Sequence, residues 1–277
     1  KAFGYGAGSY ELAKSLQDRG CDYLAVAVAD EGAELRKAGI TMPIMVMNPE
    51  MNSFRTLFSY SLEPEIYSFK LLKAFSKEAE QLGIMHYPVH IKIDSGMHRL
   101  GFTFEDMPLL ANELSAMPSI RPRSFAGSDE TRFDDFTLRQ IAIFKDCACI
   151  IQNVTPFPVM RHILNTAGIS RFTDEQMEGV RLGLGLYGIS PIGNEPGLRN
   201  VSTLKTTILQ IKELEADQTV GYSRRGVLSR KSRIAALPIG YADGVDRHLG
   251  NGKGYVIING KQAPYVGNIC MDVCMVD

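Results

Sequence analysis

Several features that would place this sequence in a specialised class are missing. No apolar run approaches the roughly 20 residues of a membrane-spanning helix, and no signal peptide is recognisable. Acidic and basic residues nearly balance, 31 against 30, so no charge excess points to nucleic acid or an anionic membrane as a partner. The five cysteines lack the spacing of a disulfide framework or a zinc site, which favours a reducing cytoplasm and no metal.

The first 190 residues alternate between strand-like and helix-like patterns. Short units of this kind predict parallel strands joined by right-handed crossovers, and seven or so units predict a (β/α)8 TIM-like barrel. We expect the first strand to precede Lys1, with both ends of the chain truncated. The predicted strands comprise residues 23–29, 44–47, 65–69, 89–94, 159–164 and 180–187.

Beyond residue 202 the sequence becomes β-rich, with predicted strands at 203–214, 233–237, 255–258 and 263–274. Asn251-Gly252 and Asn259-Gly260 are typical of hairpin turns. We therefore expect two domains, a barrel over residues 1–202 and a smaller, incomplete β-rich domain over 203–277.

In a barrel the working residues lie where strands end and loops begin. Lys1 and Tyr5 belong to the glycine-rich segment KAFGYGAG, in which a lysine can form a Schiff base with an aldehyde and a tyrosine hydroxyl can bind phosphate. On composition alone, an ordinary turn before a helix is the more frequent explanation.

Two arginines follow other predicted strands. Arg99 lies in the loop DSGMHRLG, where it can pair with a carboxylate or serve as a plain surface residue. Arg181 opens the glycine-punctuated apolar segment RLGLGLYG, and an arginine cannot stay buried there without a partner. Arg181 is therefore the most unusual local feature of the chain.

Two further groups complete the candidates. His162, Asn165 and Thr166 end a predicted strand, and a threonine hydroxyl with free backbone N–H groups can seat a phosphate, although Asn-Thr is also a common helix cap. In the β-rich part, Tyr222, Tyr241 and the segment GNICMD, which contains Met271, stand out, although strand packing alone explains many tyrosines.

Together these segments resemble the alanine racemase family. The patterns Lys-Ala-x-x-Tyr-Gly-x-Gly, Asp-Ser-Gly-Met-x-Arg-Leu-Gly, Arg-x-Gly-x-x-Leu-Tyr-Gly, Gly-Tyr-Ala-Asp-Gly and Gly-x-Ile-Cys-Met-Asp occur in the family's order and approximate spacing. The resemblance covers nearly the whole chain. It implies a pyridoxal 5'-phosphate (PLP) enzyme that interconverts L- and D-alanine, supplies D-alanine for peptidoglycan and acts as a cytoplasmic homodimer.

The resemblance also implies roles for individual residues. Lys1 would bind the cofactor covalently and serve as one base, and Tyr222 would be the opposite base, donated across the dimer interface. The other implied cofactor contacts are Tyr5, Arg99, His162, Asn165, Thr166, Arg181 and Gly183. Arg99 would also bind the substrate carboxylate with Lys92 behind it, and Tyr241 and Met271 would complete the substrate site.

Three positions depart from the family pattern. The family places a histidine just before the segment that matches Ala126-Gly127-Ser128, and none is found here, whether because the natural loop is shorter or because residues are absent from this sequence. Ser223 replaces a glycine after Tyr222, and Ala7 replaces a frequent histidine.

Other functions stay open at this point. A broad-spectrum amino-acid racemase shares these motifs, whereas a barrel-type PLP decarboxylase usually shows a Gly-Gly-Gly phosphate loop that is not found here. A PLP-binding module without turnover tends to be a barrel alone, so the β-rich part with Tyr222 argues against it.

Overall fold

The computed structural model describes residues 2–128, 135–193 and 197–277. The chain divides into two compact units, Lys1–Val201 and Ser202–Asp277. None of the helices within the described ranges is long and apolar enough to cross a membrane.

The first unit contains a sheet of six parallel strands whose spatial order follows the chain. These are β1 (Leu24–Val26), β2 (Ile44–Val46), β3 (Glu63–Ile66), β4 (Tyr87–Lys92), β5 (Ile120–Ala126) and β6 (Met160–His162). The α-helices are Ser9–Asp18, Ala29–Lys37, Phe54–Ser59, Phe69–Gln81, Met107–Ser115, Asp135–Gln152 and Thr166–Arg171. Parallel neighbours joined through helices confirm the predicted α/β class.

Contacts inside the sheet show that it curls. Tyr23, immediately before β1, donates a hydrogen bond to Glu63 on β3 at 3.0 Å and accepts one from Arg123 on β5 at 3.0 Å. Side chains of alternate strands meet in one layer inside a barrel, whereas on a flat sheet they would be too far apart. Tyr23, Glu63 and Arg123 therefore lie on the face of the sheet that points into the curl.

Apolar side chains fill the space between the sheet and its helices. Val89 and Ile91 on β4 are fully buried, and so are Leu72 and Phe75 on the helix Phe69–Gln81. His90 and Lys92 alternate with Val89 and Ile91 and are buried on the opposite face. Both faces of β4 are thus covered, as expected for a strand in a parallel sheet.

In the first unit, one strand was missed and one strand prediction was wrong. Residues 120–126 form β5, which the sequence did not suggest because Arg121, Pro122 and Arg123 interrupt its apolar pattern. Residues 180–187 form no strand, and the 3₁₀-helix Leu184–Tyr187 occupies their second half. Other 3₁₀-helices of the unit are Met51–Ser53, Phe104–Asp106 and Thr173–Glu175.

The second unit is mostly β, as predicted. Its strands are β7 (Gln210–Leu214), β8 (Thr219–Val220), β9 (Gly226–Val227), β10 (Ser232–Leu237), β11 (Tyr255–Ile258), β12 (Lys261–Pro264) and β13 (Cys274–Val276), with 3₁₀-helices at Tyr222–Arg224, Tyr241–Asp243 and Arg247–Leu249. The main sheet is antiparallel, in the order β13-β10-β7, and two two-stranded pairs accompany it.

The two hairpin predictions had different outcomes. Asn259-Gly260 joins β11 to β12, with φ of 49° and 76° as a type I′ turn requires. Asn251-Gly252 also turns with positive φ, but it follows the 3₁₀-helix Arg247–Leu249 and does not join two paired strands.

Candidate active site

A cavity of about 400 Å³ lies in the first unit, where the sheet's strands end. Six of the predicted site residues line it, namely Tyr5, Arg99, Asn165, Thr166, Arg181 and Gly183. The volume is within the usual range of small-molecule sites. Lys1 lies outside the described residues, so its predicted position is not part of this geometry.

The segment that follows Lys1 has an unusual backbone. Ala2, Phe3, Gly4 and Tyr5 have φ between 51° and 61°, which makes one left-handed turn. Tyr187 donates a hydrogen bond to the carbonyl of Gly4, and the Tyr5 and Tyr187 rings lie 5.3 Å apart. The turn therefore holds the half-exposed Tyr5 at the cavity wall.

Thr166 and Gly183 line the cavity beside Tyr5. The Thr166 hydroxyl accepts hydrogen bonds from the backbone N–H groups of Gly183 at 3.0 Å and Gly185 at 3.4 Å. A Cβ at Gly183 would lie 2.8 Å from the Tyr5 hydroxyl oxygen, so a larger residue there would force Tyr5 to move. Two hydroxyls and a backbone N–H thus converge, a donor set suited to a phosphate group.

Four hydrogen bonds to other described residues hold Arg181 in place. One terminal nitrogen donates to His162 Nδ1 at 2.6 Å and to the His162 carbonyl at 2.8 Å, and the other donates to the carbonyls of Gly127 and Ile163 at 2.6 and 2.9 Å. His162 is buried, and burial together with the Arg181 charge places its pKa well below 6.5. His162 is therefore a neutral acceptor for Arg181.

Arg99 also lines a second cavity of about 320 Å³ that shares Met47, Met97 and Ser128 with the first. Its floor is an ion pair between Lys92 and Glu65, with 3.4 Å between Nζ and Oε1, and both side chains are buried. Burial lowers the Lys92 pKa, the nearby charges of Arg181 and Arg99 lower it too, and Glu65 acts in the opposite direction. Arg99, which lines both cavities, offers guanidinium donors that suit a carboxylate ligand.

In the second unit, Tyr222 is 73% exposed and occupies a constrained loop. Gly221, Ser223 and Arg224 beside it have φ of 78°, 57° and 51°. Non-glycine residues are held in such conformations most often at functional sites. The Tyr222 carbonyl accepts a hydrogen bond of 3.4 Å from the Asn268 side chain.

Tyr241 and Met271 are brought together by backbone contacts. The Met271 carbonyl accepts a hydrogen bond from Ala242 at 2.8 Å, and the Cys270 carbonyl accepts one from Tyr241 at 3.0 Å. A Cβ at Gly240 would lie 2.3 Å from the Met271 carbonyl oxygen, so this packing requires glycine. Both side chains are exposed.

Sequence reasoning missed the partly buried carboxylate Glu63, the buried carboxylate Glu65 and the histidine His90. The alternation of β4 did indicate that His90 and Lys92 share one face. Only the structure shows which side chains face them: His90 Nε2 lies 3.0 Å from Glu63, and Lys92 pairs with Glu65.

A barrel-type α/β unit with an arginine-lined cavity at its strand ends, followed by a β-rich unit, is an architecture that certain PLP enzymes share. The family model for the alanine racemase N-terminal domain matches residues 1–191, and that for the C-terminal domain matches residues 201–277. The chain belongs to the alanine racemase family.

Individual relatives agree with this assignment. The alanine racemase of Clostridium kluyveri is 39% identical over 290 residues, which cover 100% of this chain and 73% of that protein. A solved alanine racemase from Clostridium difficile superposes with a TM-score of 0.87 at 31% identity, covering 99% of this chain and 73% of that one. An alanine racemase from Bartonella henselae with covalently bound pyridoxal phosphate gives 0.86 at 27% identity, over 100% of this chain and 77% of that one.

Proposed function

We propose that this chain is a PLP-dependent isomerase that interconverts L- and D-alanine and supplies D-alanine for peptidoglycan. The observation that supports this most strongly is the cavity, in which Tyr5, Thr166, Arg181 and Arg99 converge in a chain of the alanine racemase family.

The donor set fits PLP. Tyr5, Thr166 and the backbone of Gly183 would bind its phosphate, and Arg181 would face its ring nitrogen. Lys1 would hold it covalently. When bound, PLP supplies an electron sink for the charge that develops at the substrate Cα. An arginine is protonated at any physiological pH and has no acceptor, so Arg181 would keep the ring nitrogen unprotonated and make PLP a weaker electron sink.

Racemisation requires a proton to leave Cα on one face and another to arrive on the opposite face. We assign these transfers to Lys1 and to Tyr222, whose high exposure suits a residue offered to a neighbouring subunit in a homodimer. Arg99 would bind the substrate carboxylate, with the Lys92–Glu65 pair behind it, and Tyr241 and Met271 would line the remaining substrate site. The five free thiols agree with a cytoplasmic location.

The cofactor assignment is tested by reducing the PLP-loaded full chain with borohydride and locating the label by mass spectrometry. We expect the label on Lys1, and we expect Lys1→Ala to abolish both labelling and racemisation of L-alanine. Label on another lysine would refute the assignment. Comparable turnover of larger amino acids would instead indicate a broad-spectrum racemase.

The two-base assignment is tested with Tyr222→Phe. General acid–base groups contribute roughly 10²- to 10⁴-fold to rate, so racemisation should fall by about that factor in both directions. Exchange of the Cα hydrogen in D2O should be lost for one enantiomer and kept for the other. Tyr255→Phe, at an exposed tyrosine of the same unit, is the matched control and should leave both rates unchanged.

A further inference from the structure

One side chain from each of four neighbouring strands forms a continuous line of hydrogen bonds through the first unit. Glu63 on β3 lies 3.0 Å from His90 Nε2 on β4, and His90 Nδ1 lies 2.6 Å from the Ser124 hydroxyl on β5. The Ser124 hydroxyl lies 2.8 Å from His162 Nε2 on β6, and His162 Nδ1 lies 2.6 Å from Arg181.

The direction of every hydrogen in this line follows from its ends. A guanidinium has donors and no acceptor, so His162 Nδ1 must accept from Arg181. His162 therefore carries its single proton on Nε2, which donates to Ser124. The serine hydroxyl has one hydrogen, and a neutral His90 whose Nε2 donates to Glu63 offers Nδ1 as its acceptor.

His90 consequently accepts on Nδ1 and carries its own proton on Nε2. That proton points at a Glu63 oxygen, and a carboxylate accepts it without conflict. All four bonds thus run from a cation to an anion in the same direction. A proton on His162 Nδ1 would set two donors, that ring nitrogen and Arg181, against each other.

Burial isolates the line from water. His90 and Ser124 are fully buried, and His162 is 3% exposed. Burial alone would raise the Glu63 pKa, but hydrogen bonds from His90 and Tyr23 outweigh it and the pKa is lowered. The anionic end is therefore maintained, and hydrogen bonds in such surroundings polarise one another.

We propose that Glu63, His90, Ser124 and His162 form a unidirectional hydrogen-bond relay that fixes the tautomer of His162 and thereby positions Arg181. Glu63, His90 and Ser124 are positioning residues in this scheme and touch no reactant. The consequence for cofactor chemistry depends on the proposed function, because it assumes that Arg181 faces the PLP ring. The relay itself does not depend on that assumption.

The test is ¹⁵N NMR of the full chain labelled at histidine, in which only five residues contribute signals. His90→Gln and His162→Gln assign the two buried rings. We expect both rings to be neutral, with a slowly exchanging proton on Nε2 and an unprotonated Nδ1. A proton on Nδ1 of His162 overturns the proposal, and this measurement needs no variant of the relay's other members.

Transmission along the relay is tested in Glu63→Gln. Loss of the carboxylate charge should move the His162 Nε2–H signal, although Glu63 contacts His90 and Tyr23 and not His162. Ser124→Ala should break the line, so that adding Glu63→Gln to it leaves the His162 signal unmoved. Equal shifts in both backgrounds, or no shift in either, would show that the four residues are not a relay.

Glu178→Gln is the matched control. Glu178 pairs with Arg161, the chain neighbour of His162, at 2.6 Å and lies outside the relay. Its replacement should leave the His162 signal in place. If the tautomers are as expected and the chain does not racemise alanine, the relay stands and the proposed function fails.

Discussion

At the scale of single residues, the buried ion pair Lys92–Glu65 is a place where one substitution should strongly lower the stability of the first unit. Both side chains are almost completely removed from water, where an unpartnered charge is strongly unfavourable. The pair sits on the floor of the cavity that Arg99 also lines. Stability and site architecture therefore depend on the same two groups.

Glu65→Gln should destabilise the first unit markedly, because it leaves the Lys92 ammonium buried beside a neutral amide. Removal of one partner of a buried pair costs about 3–5 kcal/mol in the free energy of unfolding, measurable by urea denaturation. Glu215→Gln removes one partner of the exposed pair with Lys231 and should change stability little. Glu65→Gln combined with Lys92→Met should recover part of the loss, and failure to do so would argue against the buried charge as the cause.

At the scale of elements, strand positions were more predictable than strand partners. The alternation over residues 89–94 predicted β4 within two residues of its observed bounds. It did not reveal that His90 faces Glu63, 27 residues earlier in the chain. Register and curl decide such contacts, and they depend on the whole sheet.

The wrong strand at residues 180–187 has a local cause. The apolar run suggested a strand, but the N–H groups of Gly183 and Gly185 bond to the Thr166 hydroxyl and not to a neighbouring strand. A side-chain acceptor that competes for backbone donors in this way is not visible in a hydropathy pattern. The predicted site residues nevertheless lie close together here, because their motifs follow strand ends, whether or not residues 180–187 themselves form a strand.

Asn165 illustrates how an element can organise a site. Its side-chain oxygen accepts hydrogen bonds from Ala167 N at 2.9 Å and Gly168 N at 3.2 Å, and so caps the helix that Thr166 begins. Asn165→Ala should lower the free energy of unfolding by about 0.5–2 kcal/mol and weaken PLP binding, because Thr166 loses its fixed position. Asn165→Asp keeps the acceptor and should retain stability; equal losses in the two variants would contradict a capping role.

At the scale of the whole molecule, the relay makes stability depend on pH. The pKa of His162 is lowered in the folded state by burial and by the nearby charges of Arg181 and Lys92. Below its ordinary pKa of 6.5, the unfolded chain binds a proton that the folded chain does not. Stability should therefore fall as pH decreases below that value, by at most about 1.4 kcal/mol per pH unit from this group.

Urea midpoints at pH 7.5 and 5.5 measure this dependence. His162→Gln removes the titrating group and should make the pH dependence shallower, even if the variant is less stable at both pH values. Glu63 adds a loss of stability only below its ordinary pKa of 4.5, because its pKa is also lowered in the folded state. An unchanged slope in His162→Gln would show that other groups are responsible.

The left-handed turn at Ala2–Tyr5 is a part of the cavity wall that should unfold locally with ease. Left-handed backbone is unfavourable by about 1–2 kcal/mol for each non-glycine residue, and Ala2, Phe3 and Tyr5 are three such residues within one turn. The bonds that must offset this strain include those from Tyr187 to Gly4 and from the Ala2 amide to Glu31. Local opening of the chain should therefore begin at this wall, and its amide hydrogens should exchange with solvent long before those of β4.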